Sequence, residues 1–182
     1  MNICKIIFIS LATLFSFGAN AQKAITVLHP AVPAPTFLDH GKPGESVGDI
    51  RIWHFPAKTD NGDVLTTDWI MTTTGIVDAT EIQYRMTSAT FSFGQGTTDQ
   101  IVIQGIAEYS SAKATLQNSA TTPRAVIGGT GKFANASGWM ETNHLADGTW
   151  RHVLHLKWGM TSNLLKPDKK FRGSSWHLAV NF

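Results

Sequence analysis

The sequence predicts an all-β domain, folded as a closed barrel or a two-sheet sandwich. Three observations predict it. Short runs rich in Thr, Ile, Val, Trp and Phe alternate with Gly, Asn, Asp and Ser clusters. Helical periodicity is nearly absent after residue 22. Turn signals recur at Asp60-Asn61-Gly62-Asp63, Gly94-Gln95-Gly96, Ala146-Asp147-Gly148 and Pro167-Asp168. Strands at this spacing, with no helix to cover a face, must close on themselves or on a second sheet.

The chain opens on an address. Lys5 supplies a positive charge, residues 6–17 are uncharged and mostly apolar, and Ala19-Asn20-Ala21 places small residues where a signal peptidase reads them. Twelve apolar residues are too few to cross a bilayer core, which takes about 20. Residues 1–21 are therefore expected to be a signal peptide, with a secreted or periplasmic mature protein and no stable membrane anchor. Cys4 is the single cysteine and leaves with that peptide, so disulfides, thiolate metal sites and cysteine nucleophiles are excluded. Without Lys5, fourteen Lys and Arg face thirteen Asp and Glu, a net charge of +1 that argues against a nucleic-acid partner.

Residues 22–45 carry Pro30, Pro33, Pro35 and Pro43 and read as an extended lead-in, with an edge strand near 25–28. Residues 46–182 form the β domain. Its expected strands are 47–55, 65–77, 81–93, 100–109, 115–117, 124–127, 137–145, 149–158 and 172–182. The clearest hairpin surrounds Asp147-Gly148. Between the runs ending at Ile127 and starting at Ser137, Gly128, Gly129 and Gly131 specify a tight corner, with positive φ expected at Gly129 or Gly131.

Four segments resemble the allene oxide cyclase barrel family and its dirigent relatives. They are Gly48 to Pro56 followed by Asp60-Asn61-Gly62, Tyr84 to Gly94, Gln100 to Gly105, and the corner from Ala125 to Thr142. They cover roughly residues 44–156, in the family's order. The resemblance implies a single closed antiparallel barrel of about eight strands, a homotrimer, and a cavity for a hydrophobic small molecule. It also implies an isomerase or cyclase activity. None of the family's catalytic residues carries over. The lead-in has no matching acidic strand, the mature chain has no cysteine, and Ser137 stands where dirigent proteins usually have an arginine.

The residues themselves offer no cofactor or metal site. Gly128-Gly129-Thr130-Gly131-Lys132 lacks the Ser or Thr and the helix of a phosphate loop. His152 and His155 are three apart, so on one strand they face opposite ways. The strands do carry polar residues among apolar neighbours. Glu141 and Tyr84 are the expected proton-moving residues, and Asp68, Arg85, Gln104, Trp139, Asn143 and Arg151 the expected substrate contacts. Glu141 is expected to point inward, because its face shares Trp139 and Asn143. A cross-strand ion pair between Glu141 and Arg151 is the plainer alternative. The functional expectation is an exported barrel that binds an apolar small molecule and steers its cyclisation or isomerisation. The alternatives are non-catalytic ligand binding and a structural or interaction role.

The leader yields the first prediction. Edman sequencing of the native protein should begin at Gln22; an intact Met1 would overturn the assignment.

Overall fold

The computed structural model describes residues 23–111, 114, 116 and 120–157. The expected leader and the expected strand 172–182 lie outside them. Among the described residues nine strands form one antiparallel sheet: β1 (Lys23–His29), β2 (Thr36–Leu38), β3 (Ile50–Thr59), β4 (Val64–Val77), β5 (Ile82–Phe93), β6 (Asp99–Tyr109), β7 (Thr121–Gly129), β8 (Ser137–His144) and β9 (Trp150–Lys157). Neighbours from β3 to β9 follow chain order as hairpins, and β1 bridges β9 and β3. Leaving out the short β2, eight strands close into a barrel. This settles the choice between barrel and sandwich.

The run near 25–28 is thus more than an edge strand. β1 pairs with β9 at seven positions, from Lys23 opposite Leu156 to His29 opposite Trp150. On its other side it meets β3 only at Val27–Thr59 and Leu28–Lys58. The prolines do not obstruct this, because Pro30, the first after β1, follows the strand's last residue. β2 takes the other end of the same β3 edge, from Thr36 opposite Ile52 to Leu38 opposite Ile50. Residues 30–35 span the gap between them, held by Trp53 Nε1 donating to the Pro33 carbonyl at 3.0 Å. Of the short strand expected at 115–117 only Leu116 lies within the described residues, where it is buried and outside any strand.

Alternation sorts each strand into an inner and an outer face. Leu65, Phe91, Phe93, Ile101, Phe133 and Leu156 fill one end of the barrel solidly. Arg51, Arg85 and Arg124 replace such residues toward the other end, where Ala107, Tyr109 and Leu116 form a second small cluster. Pro123 falls within β7, but β7 pairs with β6 only from Ala125 onward, so no ladder bond to β6 is lost there.

The corner after β7 contains a one-turn 3-10 segment, Gly131–Phe133. Gly131 has φ +56° and meets the expectation of a left-handed residue in this corner. Gly138 is more constrained. Its φ is +138°, and a Cβ there would collide with the His155 carbonyl oxygen on β9. Gly148 at the hairpin tip has φ +84° but open space around it. Gly138→Ala should therefore cost about 2–3 kcal/mol, from strain plus collision, and Gly148→Ala about 1 kcal/mol, from strain alone. Urea unfolding of both variants checks this; equal midpoint shifts would refute the collision.

Candidate functional site

The open end of the barrel encloses a cavity of about 430 Å³. Its wall is largely aromatic: Trp53 and Phe55 from β3, Trp69 from β4, Tyr109 from β6 and Trp150 from β9. Val32 to Pro35 of the covering segment complete one side. Into this apolar wall project Arg51, Arg85 and Arg124, with His29 and His152.

Each arginine is held by a different strand. Arg51 on β3 donates from Nη1 to Thr73 Oγ1 at 3.1 Å. Burial lowers its pKa, opposed by the Asp49 and Glu45 charges. Burial pushes Asp49 up, but the Ser46 and His40 amides outweigh it and leave its carboxyl below the usual range. Arg85 on β5 gives Nε and Nη2 to Gln83 Oε1 at 3.2 and 3.1 Å, and Nη2 also reaches the Ser111 carbonyl at 3.0 Å. Its Cζ lies 4.1 Å from the Tyr109 ring centre. Burial, with repulsion from Arg51, brings Arg85 down to about 10, so it stays charged at neutral pH. Arg124 on β7 reaches Thr142 Oγ1 from Nη1 at 3.2 Å and Thr87 Oγ1 from Nη2 at 3.5 Å.

The histidines continue from Arg124. His152 Nδ1 meets Thr142 Oγ1 at 3.0 Å, His152 Nε2 meets His29 Nε2 at 2.9 Å, and His29 Nδ1 meets the Pro30 carbonyl at 2.8 Å. Burial lowers both pKa values, His152's well below the ordinary range with His29 and Arg124 adding repulsion, so both rings are neutral. The partners then fix every hydrogen. The Pro30 carbonyl can only accept, so His29 Nδ1 carries a hydrogen and its Nε2 is bare. That bare Nε2 accepts from His152 Nε2–H. His152 Nδ1 is therefore bare too, and accepts from the Thr142 hydroxyl. The hydroxyl's oxygen is left to accept from Arg124. The chain from Arg124 to Pro30 runs in one sense only. Trp69 and Phe91 pack their rings on His152, 5.1 and 5.8 Å between centres, and keep it dry.

Of the residues expected from sequence, only Arg85 faces the cavity. Tyr84, its neighbour on β5, points outward and is 39% exposed. Glu141 also points outward, because Met140 and Thr142 on either side of it are buried. This corrects the inward expectation and removes a cavity carboxylate at that position. Trp139 stacks on His155 on the outer face, 4.6 Å between centres, and Glu141 lies 3.6 Å from the same His155. The Glu141–Arg151 alternative also gives way, since Arg151 is exposed opposite Asn143 while Glu141 stands opposite Val153. Asn143 donates to Thr121 Oγ1 at 2.7 Å. Asp68 is exposed and bonded to His54 Nδ1 at 2.7 Å, and Gln104 is exposed. His152 and His155 do face opposite ways. Among the described residues no cluster of three or more His, Cys, Asp or Glu has metal-binding geometry.

The sequence matches no family model and no curated protein. Solved structures share its fold. A pyocyanin demethylase aligns with a TM-score of 0.54 at 20% identity, over 75% of this chain and 100% of that one. Two pterocarpan synthase dirigent proteins align with TM-scores of 0.54 and 0.50, each at 15% identity. They cover 86% and 76% of this chain, and 100% and 96% of theirs.

The hydrogen assignment generates a pH prediction. In the unfolded chain a histidine takes up a proton near pH 6.5; in the folded protein His29 and His152 resist it. Below that pH the unfolded state binds more protons, so stability held at neutral pH declines on acidification. Nitrogen NMR at about pH 6 should show His29 as the neutral Nδ1–H form and His152 as the neutral Nε2–H form. Either ring titrating like a free histidine would break the chain as drawn.

Proposed function

Starting from a dirigent-like barrel with one solid and one hollow end, we propose that the protein binds an aromatic or apolar small molecule in the hollow end. The observation that carries this reading is the cavity of about 430 Å³, walled by Trp53, Phe55, Trp69, Tyr109 and Trp150. Its size and apolar wall suit a small organic ligand. The names of the similar barrels, a pyocyanin demethylase and pterocarpan synthases, also point to small organic molecules.

A second reading, steered cyclisation or isomerisation, is favoured by the one-way donor chain. Groups whose hydrogens cannot reorient hold a substrate in one conformation. Any proton moved there would pass through His29, His152 or Tyr109, because Glu141 and Tyr84 lie outside. Incubating the retained ligand with the protein tests this: an isomeric product supports steering, and recovery of unchanged ligand leaves binding alone.

The outer face also supports the expected homotrimer. Ile52 opposes Ile70, and Met86 opposes Ile106, all exposed on adjoining strands β3 to β6. Two further copies of the chain would cover this apolar surface. Export after Ala21 completes the proposal, and β1, which begins at Lys23, would start almost at the mature terminus.

Native mass spectrometry of the protein from its own source reads both claims, and should give three protomers with a retained organic molecule. In addition, phenylnaphthylamine, a neutral aromatic probe, should quench tryptophan emission in the parent but not in Met71→Trp, which fills the cavity. Unaltered quenching in that variant would place the probe elsewhere and sink the cavity reading. A monomer at micromolar concentration would remove the trimer.

A further inference from the structure

Arg124 is a buried cation with neutral partners. It projects inward from β7, is 3% exposed, and lines the cavity. Its guanidinium touches the hydroxyls of Thr142 and Thr87 and also hydrogen-bonds the Tyr109 side chain. Its Nε–H is buried and has no acceptor. Among the described residues no carboxylate comes within ion-pair distance of it. Arg51 and Arg85 are placed differently: Glu45 acts on both and Asp49 on Arg51, and their N–H groups are engaged by Thr73, Gln83 and Ser111.

A charge left uncompensated in a dry interior is strongly destabilising. Thr142 cannot relieve it, since its hydrogen is committed to His152 and its oxygen is a neutral acceptor. Arg51 and Arg85 line the same cavity. What the site lacks is a single anionic group at the edge of the aromatic wall.

Resting on the reading of the cavity as a ligand site, we propose that Arg124 seats the anionic group of the ligand. The cavity then takes a planar organic anion, an aromatic body carrying a carboxylate, sulfonate or phenolate, in preference to a neutral hydrocarbon. The aromatic part lies against Trp69 and Tyr109, while the anion pairs with the Arg124 guanidinium. A charge-assisted hydrogen bond in a low-dielectric site is the strongest single polar contact this wall can offer.

Two fluorescent probes of nearly the same skeleton, anilinonaphthalene sulfonate and phenylnaphthylamine, isolate the charge. The parent should bind the sulfonate about tenfold or more tightly than the amine. Arg124→Met should erase that preference, so that the two probes bind alike. Because Arg124 is buried, probe bound on the outer surface would not sense the substitution. Circular dichroism confirms that the variant folds; if it does not, competition in the parent decides. There naphthalene carboxylate should displace the sulfonate where the matching carboxamide does not. Equal affinities for the two probes, or equal displacement by acid and amide, would overturn the anion seat while leaving the binding cavity standing. Failure of the parent to bind either probe would instead overturn the cavity reading itself.

Discussion

Closure of the sheet by β1 is the constraint on which everything else rests. A barrel has no edge only if its first and last staves find each other. Here the last stave is β9, and β1 lies along it for seven residues before touching β3 at two. The same strand puts Ile25, Val27 and His29 into the interior. Among the described residues His29 is the only hydrogen-bond partner of His152 Nε2, so closure and the ordering of the polar chain are one event. Remove the stave and two sheet edges open, while a buried imidazole loses its acceptor.

The interior is graded along its axis. One end is packed with aliphatic and phenyl side chains, and burial there supplies the driving force for folding. The other end carries three guanidiniums and two imidazoles. Burying such groups is unfavourable unless their hydrogens are satisfied. The barrel meets part of that requirement with inward threonine hydroxyls, Thr73, Thr142 and Thr87, and part with Gln83 and the Ser111 carbonyl around Arg85. The solid end holds the staves rigid, and rigid staves keep these hydroxyls in place. Stability at one end thus underwrites preorganisation at the other.

Much of the barrel was legible because strand period and turn chemistry are local. The hairpins β3 to β6 and β8 to β9 fall close to where alternation and Gly or Asp turns put them. The inner face of β9, with Trp150, His152, Leu154 and Leu156, reads cleanly from alternation. The face of β8 does not, since Trp139 and Asn143 outside look no more exposed in sequence than Met140 and Thr142 inside. Hydropathy fails to separate inside from outside when the interior is partly polar and the outer surface partly apolar. One signal was available. A hairpin centred on Asp147 sets Thr142 opposite His152, and residues opposite one another share a face. Carrying the β9 assignment across that turn places Glu141 outside. The His29–His152 contact joins residues 123 apart and depends on closure, which no local pattern encodes.

The segment between β1 and β2 has a further consequence, for solubility. The seam between β1 and β3 is paired at only two positions, so the middle of β3 presents unpaired backbone. Such an edge is where a second chain could add a strand and begin a fibril. The covering segment carries Pro30, Pro33 and Pro35, none of which has an N–H to donate. Pro56 interrupts the edge of β3 itself. The barrel's weakest seam is therefore shielded by backbone that cannot continue a sheet, so a gap in the barrel wall need not become a template for aggregation.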